Sequence, residues 1–331
     1  MTVGSARARL PGSPKLLSWG ALVAVYLLWG STYTGIQVAV RYIPPLLMSG
    51  TRYLLAGVLL YLVAGREGSW RRRPFRWSRP SRPEAVSAAV VGLFLLLGGN
   101  GLLSLGEVRV RSGLAALMIA TVPLWMALLG LSLRGSRRPG ALGWVGVLLG
   151  LGGVAVLVDP SSGGHLSLLA AVGLLGAAIF WSIGSLYSQR APLARNVLLV
   201  SAVEMLAGGL GLIVVGLLTG EASQVRWAHL GPPALIAFAW LVTGGSIAGF
   251  TCYTYALKVL PTTTVATYAY VNPVVALALG WFILGQGLTA AVGLAAVLIT
   301  LGVVLMVSGP ALAKRRARER LAHAPPSSGA S

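Results

Sequence analysis

The sequence predicts an all-α polytopic membrane protein with ten transmembrane helices, arranged as two inverted repeats of five helices each. Its composition is the first indication, because 56% of the 331 residues are hydrophobic and only 10% are charged, with a mean hydropathy of +0.80. Soluble domains carry about 25% charged residues. Two further observations, a series of long apolar runs and a correspondence between the two halves of the chain, specify the number and arrangement of the helices.

Ten apolar runs are long enough to cross a bilayer, for which a helix needs roughly 20 residues. They lie at about 18–40, 45–64, 85–106, 112–133, 141–158, 167–188, 196–219, 233–257, 262–284 and 288–309. A spanning β-strand has about 10 residues and alternates polar with apolar side chains, and these runs do neither. The first run is too long for the apolar core of a signal peptide, so we expect it to be a membrane helix.

Lysine and arginine residues are unevenly distributed between the connections. If residues 1–17 face the cytoplasm, 21 of the 26 Lys and Arg residues lie on the cytoplasmic side and four on the other, with Arg52 left over. Such residues accumulate on the cytoplasmic side of membrane proteins. We therefore expect both termini, including a basic, disordered tail at 310–331, on the cytoplasmic side of the inner membrane. The net charge of +19 then belongs to loops, and nucleic acid is not an expected partner.

The connection at 65–84 is the most basic internal segment, with seven arginines. We expect it to set the orientation of the chain in the membrane. Contact with anionic lipid headgroups is an alternative role.

Residues at equivalent places in the two halves match. Trp29 and Arg52 correspond to Trp181 and Glu204, each 152 positions later. Five more residues have counterparts 150 positions later: Gly99, Ser112, Ala116, Pro123 and Gly130 match Gly249, Thr262, Ala266, Pro273 and Gly280. Because five is odd, the second repeat (161–309) must enter the membrane from the side opposite to the first (18–160). Inverted repeats are typical of secondary transporters, which bind substrate near the midplane between them.

Two of the matched residues, Pro123 and Pro273, fall inside predicted helices 4 and 9. A proline inside a helix removes a backbone hydrogen bond and bends or breaks the helix. In a bilayer, the carbonyl group left free needs another partner. We therefore expect these positions to act as hinges or to expose backbone to a cavity, with a tolerated kink as the alternative.

Arg52 and Glu204 are charged residues within apolar runs, and such charges usually face a partner or a water-filled cavity. Each is about 12 Å from the start of its helix at 1.5 Å per residue, and their levels in a core about 30 Å thick differ by roughly 6 Å. We expect Arg52 to bind an anionic group and Glu204 to take up and release a proton. The structural alternatives are a fixed salt bridge between them or an Arg52 that reaches outward. Glu107 is expected in an exposed pair with the neighbouring Arg109 and Arg111.

Uncharged polar and aromatic side chains within the runs are further candidates for the transport pathway. They are Trp29, Ser31, Thr32, Tyr33, Asn100, Trp181, Tyr268 and Asn272. Aromatic residues at helix ends often anchor at the membrane interface, and Ser and Thr often bond between helices, so a structural role is the alternative for each. Together they would suit an amphipathic solute.

The sequence offers little for catalysis or cofactor binding. The single cysteine, Cys252, lies in an apolar run, and His165, His229 and His323 are scattered over connections and the tail. We therefore expect no metal site, no catalytic cluster, no cofactor and no enzyme. The chain also lacks a Walker-type Gly-Lys-Ser/Thr loop, so ATP is not expected to drive transport.

Several short motifs occur in a characteristic order. They include Leu28-Trp29-Gly30-Ser31-Thr32-Tyr33, Gly98-Gly99-Asn100-Gly101, Thr121-Val122-Pro123-Leu124 and Tyr268-Ala269-Tyr270-Val271-Asn272-Pro273. In these motifs the chain resembles the EamA family of the drug/metabolite transporter superfamily, and most closely its YedA-type exporters. The resemblance implies ten helices in two EamA repeats, a central cavity and efflux of small organic solutes without ATP. Family members often carry an acidic residue after the glycine that ends helix 9, where this chain has Gly285-Gln286.

These observations lead us to expect an inner-membrane secondary transporter that exports small metabolites, either amino acids and related compounds or drugs, by alternating access. The proton gradient or the solute's own gradient would drive it. The expected partners are a small-molecule substrate, membrane lipids and protons. An importer of small organic solutes and a flippase for lipids or lipid-linked sugars are the alternatives.

Overall fold

The computed structural model describes residues 14–64, 66–67, 76–77, 79–132, 140–158, 168–225, 230–260, 265 and 267–322. Most of these residues are helical, as the apolar runs predict. Within the described ranges, the exception is a two-residue antiparallel pair of strands, β1 (Arg66–Glu67) and β2 (Arg76–Trp77). The pair lies in the basic connection between the second and third helices.

Ten helical stretches follow one another in the described ranges. We label them α1 (Pro14–Ala39), α2 (Pro45–Ala64), α3 (Arg82–Glu107), α4 (Ser112–Gly130), α5 (Ala141–Val158), α6 (Leu168–Ser188), α7 (Val197–Leu218), α8 (Pro232–Trp240, Leu241–Ala248 and Gly249–Val259), α9 (Tyr268–Leu284) and α10 (Ala290–Ala322). A short 3₁₀ helix, Glu221–Gln224, follows α7. Seven of the ten are long and apolar enough to cross a membrane, whereas the apolar parts of α5, α9 and α10 have only 10–17 residues. Ten complete spans therefore stay a prediction.

The C-terminal helix is longer than the sequence predicts. α10 continues to Ala322, whereas a disordered tail is predicted from 310 onward. Residues 311–322 are rich in Ala, Leu and Arg, which are favourable helix formers, so the helix continues past its apolar part. The predicted start of helix 9, together with Thr262 and Ala266, lies outside the described residues.

α3 and α8, the third helices of the two halves, each contain a π-helical segment. It covers Leu93–Asn100 in α3 and Leu241–Ala248 in α8, and each segment includes two adjacent glycines. π-helical turns are rare and frequently occur at functional sites. Their matching positions support the internal repeat, although the apolar periodicity of the sequence does not predict them.

The two halves pack on each other through corresponding helices. α2 packs on α7 and α5 on α10, while α1 packs on α8 and α9 just as α6 packs on α3 and α4. The counterpart of each helix is the one numbered five higher or lower, such as α6 for α1. Replacing every helix by its counterpart gives the same set of contacts. A main cluster of buried apolar side chains draws on both halves, and includes Ile36, Leu117, Leu174, Leu241 and Ile299.

The corresponding helices α2 and α7 run antiparallel. The backbone N–H of Leu46, at the start of α2, donates to the carboxylate of Glu221 after the end of α7. At the other end, the Asn196 side-chain amide before α7 donates to the Ala64 carbonyl at the end of α2 at 3.0 Å. Between these ends, a methyl group added to Gly209 would lie 3.0 Å from the carbonyl oxygen of Gly50. Glycines allow membrane helices this close approach. Antiparallel counterparts are the arrangement that an inverted repeat requires.

α4 is interrupted, which corrects the prediction of a continuous helix at 112–133. Its first part ends at Ile119 and its second part begins at Val122. Pro123 therefore lies in the first turn of the second part, where a proline costs no intrahelical hydrogen bond. Pro273, by contrast, lies inside α9 as predicted.

Candidate functional site

A row of buried polar side chains lies between α2 and α3. We call it the polar row, and it consists of Ser49, Arg52 and Tyr53 on α2 with Asn100, Ser104 and Glu107 on α3. Spacings of three, four and seven residues put each set on one face of its helix. The hydroxyls of Ser49 and Ser104 share a hydrogen bond of 2.8 Å, which fixes the alignment of the two helices.

Arg52 is buried but only partly satisfied. Its side chain is 3% exposed, and its guanidinium carbon lies 4.1 Å from the centroid of the Tyr53 ring. Its Nη2 donates to the Tyr53 hydroxyl and, at 3.5 Å, to Oδ1 of Asn100. Its Nε and Nη1 have no hydrogen-bond partner among the described residues. Part of the donor capacity of this buried cation is therefore free for a ligand.

Arg52 does not pair with Glu204. Its guanidinium turns to Tyr53 and Asn100 of its own repeat, and in the part of the chain that the structure describes no ion pair joins it to Glu204. Its burial also contradicts the alternative of a side chain reaching outward. Both structural alternatives, the Arg52–Glu204 salt bridge and the outward-reaching Arg52, are therefore wrong in this conformation. The salt bridge fails because two residues at a similar depth in the membrane need not lie on facing sides of their helices.

Glu107 is buried, which contradicts the predicted exposed pair. α3 continues one residue past its predicted end, so Glu107 follows Asn100 and Ser104 on the buried face. It is 1% exposed, and neither carboxylate oxygen has a hydrogen-bond partner within the described ranges. Arg109 is exposed. The seven-residue spacing from Asn100 is the signal in the sequence that indicates this burial.

Glu204 lies on α7, where it faces α3 and α8. A methyl group on Gly92 of α3 would overlap the carbonyl oxygen of Glu204, so the two backbones are in close contact. The Glu204 side chain is half-buried and interacts electrostatically with the hydroxyl of Tyr253 on α8. Glu204 therefore lies at the packed contact between α7 and α3.

Trp29 of α1 is the centre of an aromatic cluster. Its ring centroid lies 5.4 Å from that of Phe250, 5.0 Å from that of Tyr253 and 5.1 Å from that of Tyr268. Its indole N–H donates to the carbonyl oxygen of Gly245 at 3.1 Å, inside the π-helical segment of α8. The predicted candidates Trp29 and Tyr268 are thus brought together, and Phe250 and Tyr253 are members that the sequence did not single out.

Three tyrosines, Tyr33, Tyr268 and Tyr253, lie on α1, α9 and α8. Tyr33, which is 8% exposed, interacts electrostatically with Glu107 and with Tyr268. The rings of Tyr268 and Tyr253 lie 5.8 Å apart, and Tyr253 interacts with Glu204. We call these three residues the tyrosine series, which contributes phenol hydroxyls from both repeats.

The other predicted candidates make contacts away from Arg52, and Ser31 also accepts a hydrogen bond from the Trp240 indole of α8 at 3.0 Å. Ser31 and Thr32 donate to carbonyl oxygens one turn back in α1, at 2.8 Å and 2.6 Å. Trp181 lies against Gly99 of α3. Asn272 is buried in α9, and its side-chain oxygen has no hydrogen-bond partner among the described residues. Within those residues, no hydrogen bond joins these side chains to the polar row.

Three polar side chains form a clasp between the two halves, which we define as Gln37, Ser112 and Gln286. Gln37 on α1 donates to the carbonyl oxygen of Val110 at 2.8 Å and accepts from the backbone N–H of Ser112 at 2.9 Å. Gln286, between α9 and α10, donates to the Gln37 side-chain oxygen, and its own oxygen lies 3.3 Å from the Ser112 hydroxyl. Gln286 therefore links the second repeat to Gln37 and Ser112 of the first.

Glu221 holds the start of α2, a role that the sequence does not indicate. Its carboxylate accepts hydrogen bonds from the backbone N–H groups of Leu46 at 3.0 Å and Leu47 at 2.9 Å. A carboxylate at a helix N-terminus satisfies free N–H groups and complements the helix dipole. Glu221 thus differs from Glu107, which is equally buried but has both oxygens free.

The groups available for chemistry are a guanidinium, carboxylates and phenol hydroxyls. Such groups bind charged solutes and exchange protons. Across the described ranges, no three His, Cys, Asp or Glu side chains are placed to hold a metal ion.

Known proteins share this sequence pattern and fold. The profile of the EamA-like transporter family matches residues 17–159 and again residues 168–308. The chain is 37% identical over 298 residues to "Uncharacterized inner membrane transporter YedA" of Escherichia coli (strain K12), which covers 88% of this chain and 90% of that protein. It is 25% identical over 304 residues to a "Probable amino-acid metabolite efflux pump" of the same organism, covering 86% and 93% of the two chains. A solved crystal structure at 21% identity has a TM-score of 0.60 and covers 92% of this chain and 98% of its own, which shows a similar fold.

Proposed function

The chain belongs to the EamA-like transporter family and contains two EamA repeats, and from this premise we propose that it is a secondary transporter that exports small organic solutes across the inner membrane. The partly unpaired, buried guanidinium of Arg52 carries the proposal. A charge in a membrane interior is costly, and it is found mostly where it serves a substrate or an ion. The names of two relatives, an inner membrane transporter and a probable efflux pump for amino-acid metabolites, support the same class of activity.

Alternating access would follow from the inverted arrangement of the repeats. Corresponding helices pack antiparallel, so an exchange of conformations between the two repeats would exchange the inner and outer faces. With both termini in the cytoplasm, as the basic residues indicate, the clasp of Gln37, Ser112 and Gln286 lies on the outer side. The conformation described is then closed to the outside, and Arg52 and Glu107 are shielded from solvent.

Glu204 is the proposed proton carrier. Glu204 is half-buried on α7, which packs against α8, the helix that carries Tyr253 of the tyrosine series. Phenol hydroxyls can both donate and accept protons. Uptake of a proton in one access state and release in the other would couple the proton gradient to solute movement. The absence of an ion pair with Arg52 in the described chain leaves Glu204 free for this role.

The aromatic cluster around Trp29 is the proposed contact for the apolar part of the solute. Aromatic side chains contribute a large contact area and orient a ligand between rings. Polar groups at Arg52 and apolar surface at Trp29 together match the composition of small-molecule sites, which are mostly apolar with a few placed polar groups.

Metabolite profiles of the growth medium test this function. Bacteria that express the chain are compared with an empty-vector strain and with a Glu204→Gln strain at equal membrane levels. We expect a solute that accumulates outside only with the unchanged chain. Depletion of a solute from the medium would instead indicate an importer, and flipping of labelled lipid with an unchanged metabolite profile would indicate a flippase. Either result would contradict the proposed export.

A further inference from the structure

We propose that Trp29 is a latch, which holds α8 against α1 in the conformation described and is released when the transporter opens to the outside. The latch is the hydrogen bond from the indole N–H of Trp29 to the carbonyl oxygen of Gly245, at 3.1 Å. This inference rests on the proposed alternating access, because it names a contact that one access state makes and the other breaks.

The π-helical segment of α8 makes the acceptor of this bond available. In an α-helix, the N–H of Gly249 would bond to the carbonyl oxygen of Gly245, four residues back. In α8 it bonds instead to the carbonyl oxygen of Gly244, five residues back. The carbonyl of Gly245 therefore lacks the bond from Gly249 and accepts one from Trp29, which belongs to a different helix.

Two glycines of α8 allow the close approach that the latch requires. A methyl group added to Gly249 would lie 2.5 Å from Nε1 of Trp29, and one added to Gly245 would lie 2.7 Å from Cγ2 of Thr32. Contacts this short would push α1 away from α8. Small residues at helix contacts in membranes permit such proximity, so the face of α8 is shaped to receive the indole.

The second repeat contains the equivalent contact without the hydrogen bond. Trp181 of α6, the counterpart of Trp29, lies against Gly99 of α3, the counterpart of Gly249. A methyl group added to Gly99 would lie 3.0 Å from Cε3 of Trp181. Among the residues that the structure describes, the indole N–H of Trp181 donates to no acceptor. The same pair of residues is thus hydrogen-bonded in one interface and only in van der Waals contact in the other.

The position of the π-helical segment explains this difference. In α3, the N–H of Gly101 bonds to the carbonyl oxygen of Leu96, five residues back, so the carbonyl that lacks its α-helical bond is that of Leu97. Leu97 precedes Gly99 by two residues, whereas the corresponding separation in α8 is four. Two residues are about 200° around a helix of 3.6 residues per turn. The free carbonyl of α3 is therefore on the side away from Trp181.

An exchange of conformations between the repeats would break the latch. In a transporter with inverted repeats, one repeat shows the conformation that the other adopts in the opposite access state. The contact of α1 with α8 would then take the form that α6 and α3 have now, with the ring of Trp29 on Gly249 and its N–H unbonded. Gly245 would accept its α-helical bond from Gly249 again. Two donors thus compete for one carbonyl oxygen, and each access state corresponds to one of them.

The latch and the clasp hold α1 at two different levels. Trp29 precedes Gln37 by eight residues, which is about 12 Å along α1 at 1.5 Å per residue. The clasp connects α1 with the start of α4 and with Gln286 after α9, whereas the latch connects α1 with the middle of α8. The latch therefore lies deeper in the membrane than the clasp and acts on a different helix.

The experiment measures the access state in right-side-out membrane vesicles from bacteria that express the full-length chain, with no solute added. Leu114→Cys in a Cys252→Ser background reports the access state through its rate of labelling by a membrane-impermeant maleimide. Trp29→Phe keeps an aromatic ring and removes the N–H donor. We expect it to raise the labelling rate roughly threefold to tenfold, the population shift expected from the loss of one hydrogen bond. Because no solute is present, a role of Trp29 in binding does not affect this rate.

Two further substitutions separate the latch from a general loosening of the protein. Trp181→Phe is the matched control, because the N–H that it removes has no acceptor in the described residues, and it should not raise the labelling rate. Gly249→Ala should raise the rate as Trp29→Phe does, because its methyl group displaces the indole. Gly20→Ala, on a part of α1 with open space around the glycine, should leave the rate unchanged. Size-exclusion profiles in detergent check that each variant is folded.

The outcomes distinguish a failure of the latch from a failure of the proposed function. An unchanged labelling rate in folded Trp29→Phe, or an equal rise in Trp181→Phe, would overturn the latch. Either result would leave the transporter function intact as long as the unchanged chain shows counterflow of a solute in proteoliposomes. A lack of counterflow for every solute, together with a labelling rate that none of the variants changes, would reject alternating access and the latch with it.

Discussion

The guanidinium of Arg52 lies over the ring of the residue that follows it, 4.1 Å from the centroid of Tyr53. The Tyr53 hydroxyl accepts a hydrogen bond from the same group. A cation–π contact and hydrogen bonds to the neutral side chains of Tyr53 and Asn100 orient the charge without neutralising it. Arg52 is therefore held in place inside the protein while two of its nitrogen atoms, Nε and Nη1, are free of hydrogen bonds to the described residues.

Two substitutions of Arg52 should distinguish the effect of its positive charge on transport from the effect of its planar shape. Arg52→Gln should abolish transport, and Arg52→Lys should keep only a small part, because an ammonium cannot reproduce the planar guanidinium fork. We expect a fall of roughly tenfold or more for the lysine variant. Initial counterflow rates in proteoliposomes, at equal amounts of protein, measure this. Unchanged rates in Arg52→Gln would rule out a role for the guanidinium.

Glu204→Gln should leave the protein in the membrane and remove the response of transport to a pH gradient. Glutamine keeps the shape of the side chain but cannot carry a proton. Export rates are compared with and without an imposed gradient, with Glu84→Gln as a control for an exposed carboxylate near the start of α3. Normal transport by Glu204→Gln with the same pH dependence as the unchanged chain would contradict proton coupling through this residue.

Gln37→Ala should open the outer side. The substitution removes the contacts of Gln37 with Val110, Ser112 and Gln286, and each hydrogen bond contributes about 0.5–1.5 kcal/mol. In a Cys252→Ser background, a cysteine replacing Leu114, which is 5% exposed, reports accessibility to a membrane-impermeant maleimide. We expect labelling roughly tenfold faster with Gln37→Ala. Equal labelling rates would mean that the clasp does not hold the closed state.

Gly302→Leu should destabilise the purified protein far more than Gly293→Leu in the same helix. A methyl group on Gly302 would meet Gly146 and Gly150 of α5 at 2.6 Å and 2.7 Å, whereas the space at Gly293 is open to at least 4 Å. Overpacking of this kind costs about 1–3 kcal/mol or more. Thermal unfolding in detergent measures the difference. Equal melting temperatures for the two variants would contradict the close α5–α10 contact.

The sequence predicts the helical architecture well because the signals are local. Run length and charge scarcity indicate the helices, and the matched residues indicate the repeat. The prediction of a disordered tail is wrong for residues 310–322, which are helical, because their Ala, Leu and Arg residues favour helix. The π-helical segments in α3 and α8 depend on how glycine pairs pack against α6 and α1, which run length does not reveal.

The candidate site is predicted only in part. Arg52, Tyr33 and Asn100 are buried. The alternative of a salt bridge between Arg52 and Glu204 is wrong, because depth along the membrane normal does not tell which way a helix face turns. Glu107 falls one residue beyond the predicted helix, so its seven-residue spacing from Asn100 is easily overlooked. Contacts such as that of Glu221 with Leu46 join residues far apart in sequence and have no local signal.

The central claim, a secondary transporter that binds solute at a buried site, is tested most directly by counterflow. Proteoliposomes that contain the full-length chain are loaded with unlabelled amino acids, and labelled amino acid is added outside without ATP. We predict transient accumulation of label that saturates with concentration and is lost in Arg52→Gln. Flux that rises without saturation and shows no counterflow would indicate a channel and contradict the account.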